Sequence, residues 1–162
     1  SLGQNVMITN FQQYFKLVEY FSEFTKERMG IAMGVYNLIQ IFDEKYYRNL
    51  SGGILEAFGK LFYRDLKVYM YPYHDQNSDT LINSENLKVH PRVKELYKFF
   101  KNNGKLVNID DFDPEILDIF SRTVLKMIRD GENGWEAMLP KGIPEIIKQK
   151  RLFGYSKARE NK

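Results

Sequence analysis

The chain has 162 residues, with 43% hydrophobic, 28% charged and 15% aromatic side chains and a formal charge of +3. This length and balance fit one globular domain with a sizeable core and exclude a disordered or collagen-like chain. The absence of cysteine excludes disulfides and thiolate zinc sites, and no apolar run reaches the roughly 18 residues of a membrane-crossing helix.

Val6-Met7-Ile8-Thr9 is a short apolar run rich in β-formers and predicts a buried strand. Thr9 or Asn10 then caps a helix over 11–24, in which Phe11, Tyr14, Phe15, Val18, Phe21 and Phe24 recur at helical spacing. Residues 30–34 read as a second strand ended by Gly34, and 36–47 as a helix with Leu38, Ile41 and Phe42 on one side. Ser51-Gly52-Gly53 breaks the pattern before a helix over 54–62, whose stripe is Leu55, Phe58, Leu61 and Phe62. Residues 66–71 form a third strand closed by Pro72, and the polar stretch 73–86 predicts an exposed, mobile loop. Pro91 opens a helix to about residue 102, Gly104 ends it, and 106–109 is a fourth strand. Helical segments follow at 114–120 and 121–129, and a last one opens at Pro140 or Pro144 and runs to about 150.

Short, nearly continuous apolar strands alternating with helices predict an α/β fold. The expected arrangement is three-layered, a Rossmann-like half: a mostly parallel sheet of about four strands with helices on both faces. No repeat or linker interrupts it, so 1–162 reads as a single domain. The start has neither an initiator Met nor a signal-peptide core, and the chain is expected to be a fragment of a longer, cytoplasmic protein.

Ligands of open parallel sheets gather beyond the carboxyl ends of the strands. That rule points to Thr9-Asn10, to Gly34-Val35-Tyr36-Asn37, to Tyr71-Pro72-Tyr73-His74 and to residues 109–123. Gly34 would let a ligand approach the backbone, or it marks a tight strand-to-helix turn. Ser121, Arg122 and Thr123 open an amphipathic segment, where a helix N-terminus with Arg122 and Lys126 would suit a phosphate; simple capping with solvated cations is the alternative. Trp135, the sole Trp, packs a helix or lines a pocket. Asp110, Asp111 and Asp113 are either Mg²⁺ ligands or solvated turn residues. His74 and His90 are too isolated for a metal centre, and no metal site is expected. The basic tail (Lys148, Lys150, Arg151, Lys157, Arg159, Lys162) is short, and no nucleic-acid partner is expected. The common phosphate-loop, dinucleotide, serine-hydrolase and zinc-protease motifs are absent.

The order of features at 117–155 resembles the C-terminal part of nicotinate-mononucleotide adenylyltransferases, which carry an Ile-Ser-Ser-Thr-x-Ile-Arg motif at a helix start. Ile119-Phe120-Ser121-Arg122-Thr123-Val124-Leu125 falls on that motif. Ile128 and Gly131 fall on the family's later Ile and Gly. Leu139-Pro140, Ile143, Ile146, Ile147 and Leu152-Phe153-Gly154-Tyr155 follow its closing helix. Upstream, Met33 to Leu38 looks like the family's Gly-x-Asp-x-Leu turn, so the resemblance spans about residues 30–155 as a gapped pattern. Departures are specific: Leu125 stands for the phosphate-reaching Arg, Phe120 for the first Ser, Arg122 for the Thr and Tyr36 for the Asp. The family's Gly-x-Phe-x-Pro-x-His-x-Gly-His segment has no counterpart.

The resemblance implies a nucleotidyltransferase-type domain linked to NAD biosynthesis, lacking the histidines that stabilise the transferring phosphoryl charge and so inactive alone. In the intact enzyme ATP with Mg²⁺ would be the substrate complex, and no resident cofactor is implied. Ser121, Arg122, Thr123 and Lys126 would contact phosphate, while Gly34, Tyr36 and Asn37 would face the second nucleotide. No catalytic residue is assigned. The competing reading is a degenerate, non-catalytic α/β module for protein contact or homodimerisation, since Leu125 and Tyr36 put large uncharged groups where ligand-binding charges belong.

Overall fold

In chain order the protein runs α1 (Tyr14–Phe24), β1 (Gly30–Gly34), α2 (Val35–Ile41), α3 (Gly53–Leu61), β2 (Lys67–Tyr71), β3 (Tyr73–Asp75), β4 (Thr80–Ile82), α4 (Lys94–Asn102), β5 (Leu106–Asn108), α5 (Ser121–Asp130) and α6 (Ile143–Lys150). Short 3-10 turns punctuate this order at Glu44–Tyr47, Pro91–Val93, Pro114–Ile116 and Trp135–Met138. The structure is a computed structural model that describes residue 3, residues 5–75 and residues 77–156. Its contacts divide the chain into two compact units, Ser1–Phe112 and Asp113–Lys162, where the sequence suggested one domain.

The first unit is α/β, built on a parallel sheet of three strands in the order β1-β2-β5. Ile31 pairs with Val68 and Met33 with Met70, while Val68 pairs with Leu106 on the other side. These side chains share one face of the pleat, and Val68 and Met70 are wholly buried. Leu38, Phe58, Leu61 and Leu66 pack with them in one core, each at most 2% exposed. Around Phe58 the core is aromatic: Phe42 and Phe100 lie 4.8 and 5.0 Å from its ring centroid. Burying such a side chain contributes about 1.5–3 kcal/mol.

The other face carries Gly30, Ala32 and Gly34 of β1 beside Lys67, Tyr69 and Tyr71 of β2, and it stays half-buried or exposed. Strands that follow each other in chain order across a sheet, joined by right-handed crossovers, place both crossovers on the same face. That is the physical reason helices gather on the Val68 side. Gly30 is there for a packing reason: a Cβ at this position would sit 2.8 Å from the Tyr69 ring.

The helix expected over 36–47 stops at Ile41, before a separate 3-10 turn, and the segment expected over 114–120 is only the Pro114–Ile116 turn; residues 6–9 and 73–86 differ more. Residues 6–9 form no strand; Val6 and Ile8 are 83% and 95% exposed. A four-residue apolar run without a pairing partner cannot satisfy its backbone groups as a ladder, and α1 starts later, with Gln13 rather than Thr9 or Asn10 at its N-cap. Residues 73–86 are not an open loop but contain the antiparallel hairpin of β3 and β4. Its turn is organised by Asp75, whose carboxylate accepts from the Asn77 N–H and the Ser78 hydroxyl. Those hydrogen bonds hold the Asp75 carboxyl below its ordinary pKa.

The second unit packs α5, the Trp135 turn and α6 around Val124, Ile128, Trp135, Ile147 and Tyr155. Trp135 is a core residue, 1% exposed. Lys148 reaches over its ring, 5.4 Å from the centroid, to the Glu136 carboxylate at 2.6 Å. Gly131 ends α5 in the left-handed region at φ 73°, as a helix-stopping glycine does.

Candidate functional site

Gly34, Tyr36 and Asn37 come together where β1 ends. The chain turns straight into α2, with Gly34 as N-cap in an ordinary extended conformation (φ −79°, ψ 165°). Nothing lies within 4 Å of where a Gly34 Cβ would be, so the local structure does not itself require glycine there. Tyr36 is 57% exposed, and its ring sits 5.2 Å from that of Tyr73, which follows the end of β2. Asn37 is exposed beside it. The parallel sheet thus ends in a pair of tyrosine rings at the edge where α/β ligands gather. With only seven residues, α2 is too short to develop much of a helix dipole.

Ser121, Arg122, Thr123 and Lys126 lie on the opening turns of α5, in the second unit, and all four are exposed. The N-cap is Phe120 rather than Ser121, so no side chain caps the helix, and its first turn holds no acid. The N–H groups of 121–123 precede the first intrahelical bond, which runs from the Val124 N–H to the Phe120 carbonyl. Arg122 and Lys126 are one turn apart, so they share a side of the helix. The buried stripe of Val124 and Ile128 fixes that side toward solvent.

Asp113 serves as a cap, accepting from the Glu115 N–H at 2.9 Å at the Pro114–Ile116 turn. Among the described residues no three His, Cys, Asp or Glu side chains converge as a possible metal site. His74 lies 3.0 Å from Asp79 in the hairpin. Of the basic tail, Lys148 pairs with Glu136, Lys150 and Arg151 are exposed, and Lys157, Arg159 and Lys162 lie outside the described residues. No helix among the described residues is long and apolar enough to cross a membrane.

Elsewhere in the first unit is a cavity of about 650 Å³ that the sequence reading missed. Phe42, Leu50, Ile54, Val89 and Val93 supply its apolar lining, and Arg48, His90 and Arg92 its polar one. The signal was present but weak: two arginines and a histidine flank the Ser51-Gly52-Gly53 break and Pro91, and only the fold brings these distant segments together.

No family model, curated protein or solved structure matches this chain.

Proposed function

We propose that the chain is a nicotinate-nucleotide adenylyltransferase-like domain that binds a nucleotide in the cytoplasm and does not carry out adenylyl transfer by itself. The observation that supports this best is the start of α5: no side-chain cap, no acid in the first turn, and Arg122 and Lys126 on one exposed side. Outward N–H groups and two cations suit a phosphate. In this reading Ser121, Thr123 and Lys126 contact it, with Arg122 adding charge. Gly34, Tyr36 and Asn37 face a nucleotide at the end of β1, Tyr36 offering a ring to a base. Inactivity follows from the sequence: nucleotidyl transfer depends on positioned charge, residues 1–162 hold no paired-histidine segment, and Leu125 stands where an Arg would reach the phosphates. ATP with Mg²⁺ enters only as the substrate complex of an intact enzyme. The finer arrangement expected from the sequence, about four strands in three layers, belongs to the proposal too, with a further layer over the Gly30–Ala32–Gly34 face.

A ligand at ten times its dissociation constant adds about 1.4 kcal/mol, which raises the melting temperature of a domain this size by about 3–5 °C. ATP or nicotinate mononucleotide at millimolar concentration should give that rise, and the Ser121→Ala, Lys126→Ala double variant should abolish it. A flat melting temperature with both ligands would sink the reading.

A second reading, self-association, is favoured by the exposed sheet face. Parallel sheets are ordinarily covered on both sides. Here the small residues Ala32 and Gly34 lie exposed beside Tyr69, whose ring covers Gly30, and Tyr71, and a two-fold axis would set this face of each copy against that of the other. Strands of five, five and three residues offer far less than the roughly 800 Å² per partner of a stable interface, so the dimer would be weak. Light scattering over a concentration series should show it, and Ala32→Glu should remove it. A monomer at every concentration rules it out.

A further inference from the structure

The 650 Å³ cavity of the first unit is of ligand size, and its lining is divided by chemistry. Phe42 and Val93 are buried and Leu50, Ile54 and Val89 half-buried, so together they make an apolar floor. The exposed charged residues lining the mouth are Glu44, Lys45, Arg48 and Arg92, with Asp43 half-buried beside them. Three cations against two acids leave an excess of one positive charge.

Pairing identifies where that excess sits. Lys45 holds Asp43 at 2.6 Å, and the Arg92 Nε lies 3.6 Å from Glu44. Arg48 forms no hydrogen bond or ion pair among the described residues; its charge acts weakly on the Asp43 carboxylate that Lys45 holds, but its planar fork of donors is open. His90 accepts the Arg92 N–H through Nδ1 at 3.3 Å, and a neutral ring then carries its proton on Nε2 as a second donor.

We propose that this cavity binds a small carboxylate with an apolar, ring-sized body. The carboxylate takes the Arg48 guanidinium, with the His90 Nε2–H as its second donor, and the body lies on Phe42, Ile54 and Val93. A single excess charge suits a monoanion. A dianionic phosphate would need a second free cation, and a cationic ligand would have to displace Lys45 or Arg92 from their acids. The site shares no residue with Gly34, Tyr36 and Asn37 or with the start of α5, so it stands or falls separately from the nucleotide reading.

The probe is 2-naphthoate, titrated by calorimetry and by NMR shifts, with the uncharged 2-naphthamide as its isostere and inorganic phosphate as competitor. The expected result is sub-millimolar binding of naphthoate, with shifts centred on Arg48, Ile54 and Val93. Loss of one charge-assisted contact should weaken binding ~10-fold, both for the amide and for Arg48→Ala. Arg48→Lys should fall between, and Ile54→Trp, which fills the floor, should abolish binding while Arg48 remains. Phosphate should not compete. Equal binding of acid and amide, unchanged affinity in Arg48→Ala, displacement by phosphate, or no binding at millimolar naphthoate each overturns the proposal. Arg48 is exposed, so its variants should keep the parent melting temperature and loss of binding will not be confused with unfolding.

Discussion

Tyr97 offers the sharpest test of how the first unit is held together. It lies on α4, 5% exposed, and its hydroxyl donates to the Ser84 carbonyl at 2.9 Å. The Ser84 N–H in turn donates to the Asn108 side-chain oxygen at 2.9 Å, so this short chain ties α4, the segment after β4 and the end of β5 to one another. Tyr97→Phe leaves a buried carbonyl without that donor, and should lower stability by about 1–2 kcal/mol at pH 8. The pH dependence separates this account from a general packing defect. Burial, assisted by the nearby Glu85 charge, raises the Tyr97 pKa to about 12 from an ordinary 10.0. A group whose folded pKa is raised contributes in full below its unfolded pKa, so the contribution is intact below pH 10 and drains away as pH rises to 12. At about 1.4 kcal/mol per unit, a rise of this size is worth on the order of 2–3 kcal/mol. That exceeds the hydroxyl's gain, so the stabilities of parent and Phe variant should cross near pH 11 (about), above which the variant is the more stable. Urea unfolding followed by far-ultraviolet circular dichroism between pH 8 and 12 measures both. A constant difference across that range would refute the reasoning, because it would mean that the phenol is not held neutral by burial.

Tyr47, whose hydroxyl donates to the Ile41 carbonyl at 2.7 Å and whose pKa burial also raises to about 12, should behave the same way in Tyr47→Phe over the same window. Phe58→Ala, at the centre of the aromatic core, should cost about 3–5 kcal/mol in urea unfolding; a loss under about 1 kcal/mol would show that the ring cluster is not the core of this unit. Gly131→Ala puts a Cβ at φ 73° and should destabilise the second unit by about 1–2 kcal/mol, read by the fluorescence of Trp135, which lies in that unit's core. The Lys148 hydrogen bond lowers the Glu136 pKa, so that pair stabilises above the ordinary value of 4.5 and fades as pH falls through the lower folded value. Glu136→Gln should therefore flatten the acid limb of the Trp135 transition, and an unchanged limb would argue against the pair.

The parts of the fold written in local pattern were legible. β1, β2 and β5 stand within a residue of the apolar runs that predicted them, because alternate side chains of those runs enter one core. The parts that depend on distant partners were not. Val6 to Thr9 has the composition of a strand, but a strand exists only where a neighbour pairs with it. The hairpin of β3 and β4 failed to announce itself for the opposite reason. Its sequence is mostly polar, with only Tyr73, Leu81 and Ile82 apolar, and what makes it a hairpin is the Asp75 carboxylate gathering the turn while Tyr73 and Ile82 pack on the core.

The candidate site divides along the same line. Helix starts are local, so Ser121 was correctly placed on the first turn of α5, although the cap itself fell to Phe120. The cavity is non-local: its lining comes from 39–54 and 89–93, and nothing in either stretch foretells the other. Its charge pattern became readable only once the pairs were known. Lys45, Arg48 and Arg92 look alike in sequence, and only the positions of Asp43 and Glu44 distinguish the two committed cations from the open one. The same reasoning bears on Leu125 and Tyr36. Leu125 is half-buried next to the stripe of α5, and the Tyr36 ring lies tilted against that of Tyr73, so neither position is a freely solvated one where the resembled family has a charge. Restoring the charges should therefore affect the units unequally. Leu125→Arg exchanges a half-buried aliphatic side chain that lies outside the second unit's core cluster for a charged one and should destabilise modestly, whereas Tyr36→Asp alters an exposed ring and should leave the melting temperature nearly unchanged. If Leu125→Arg instead proves neutral and tightens ATP binding, α5 presents that position to a phosphate, and the nucleotide reading gains what the contact-module reading loses.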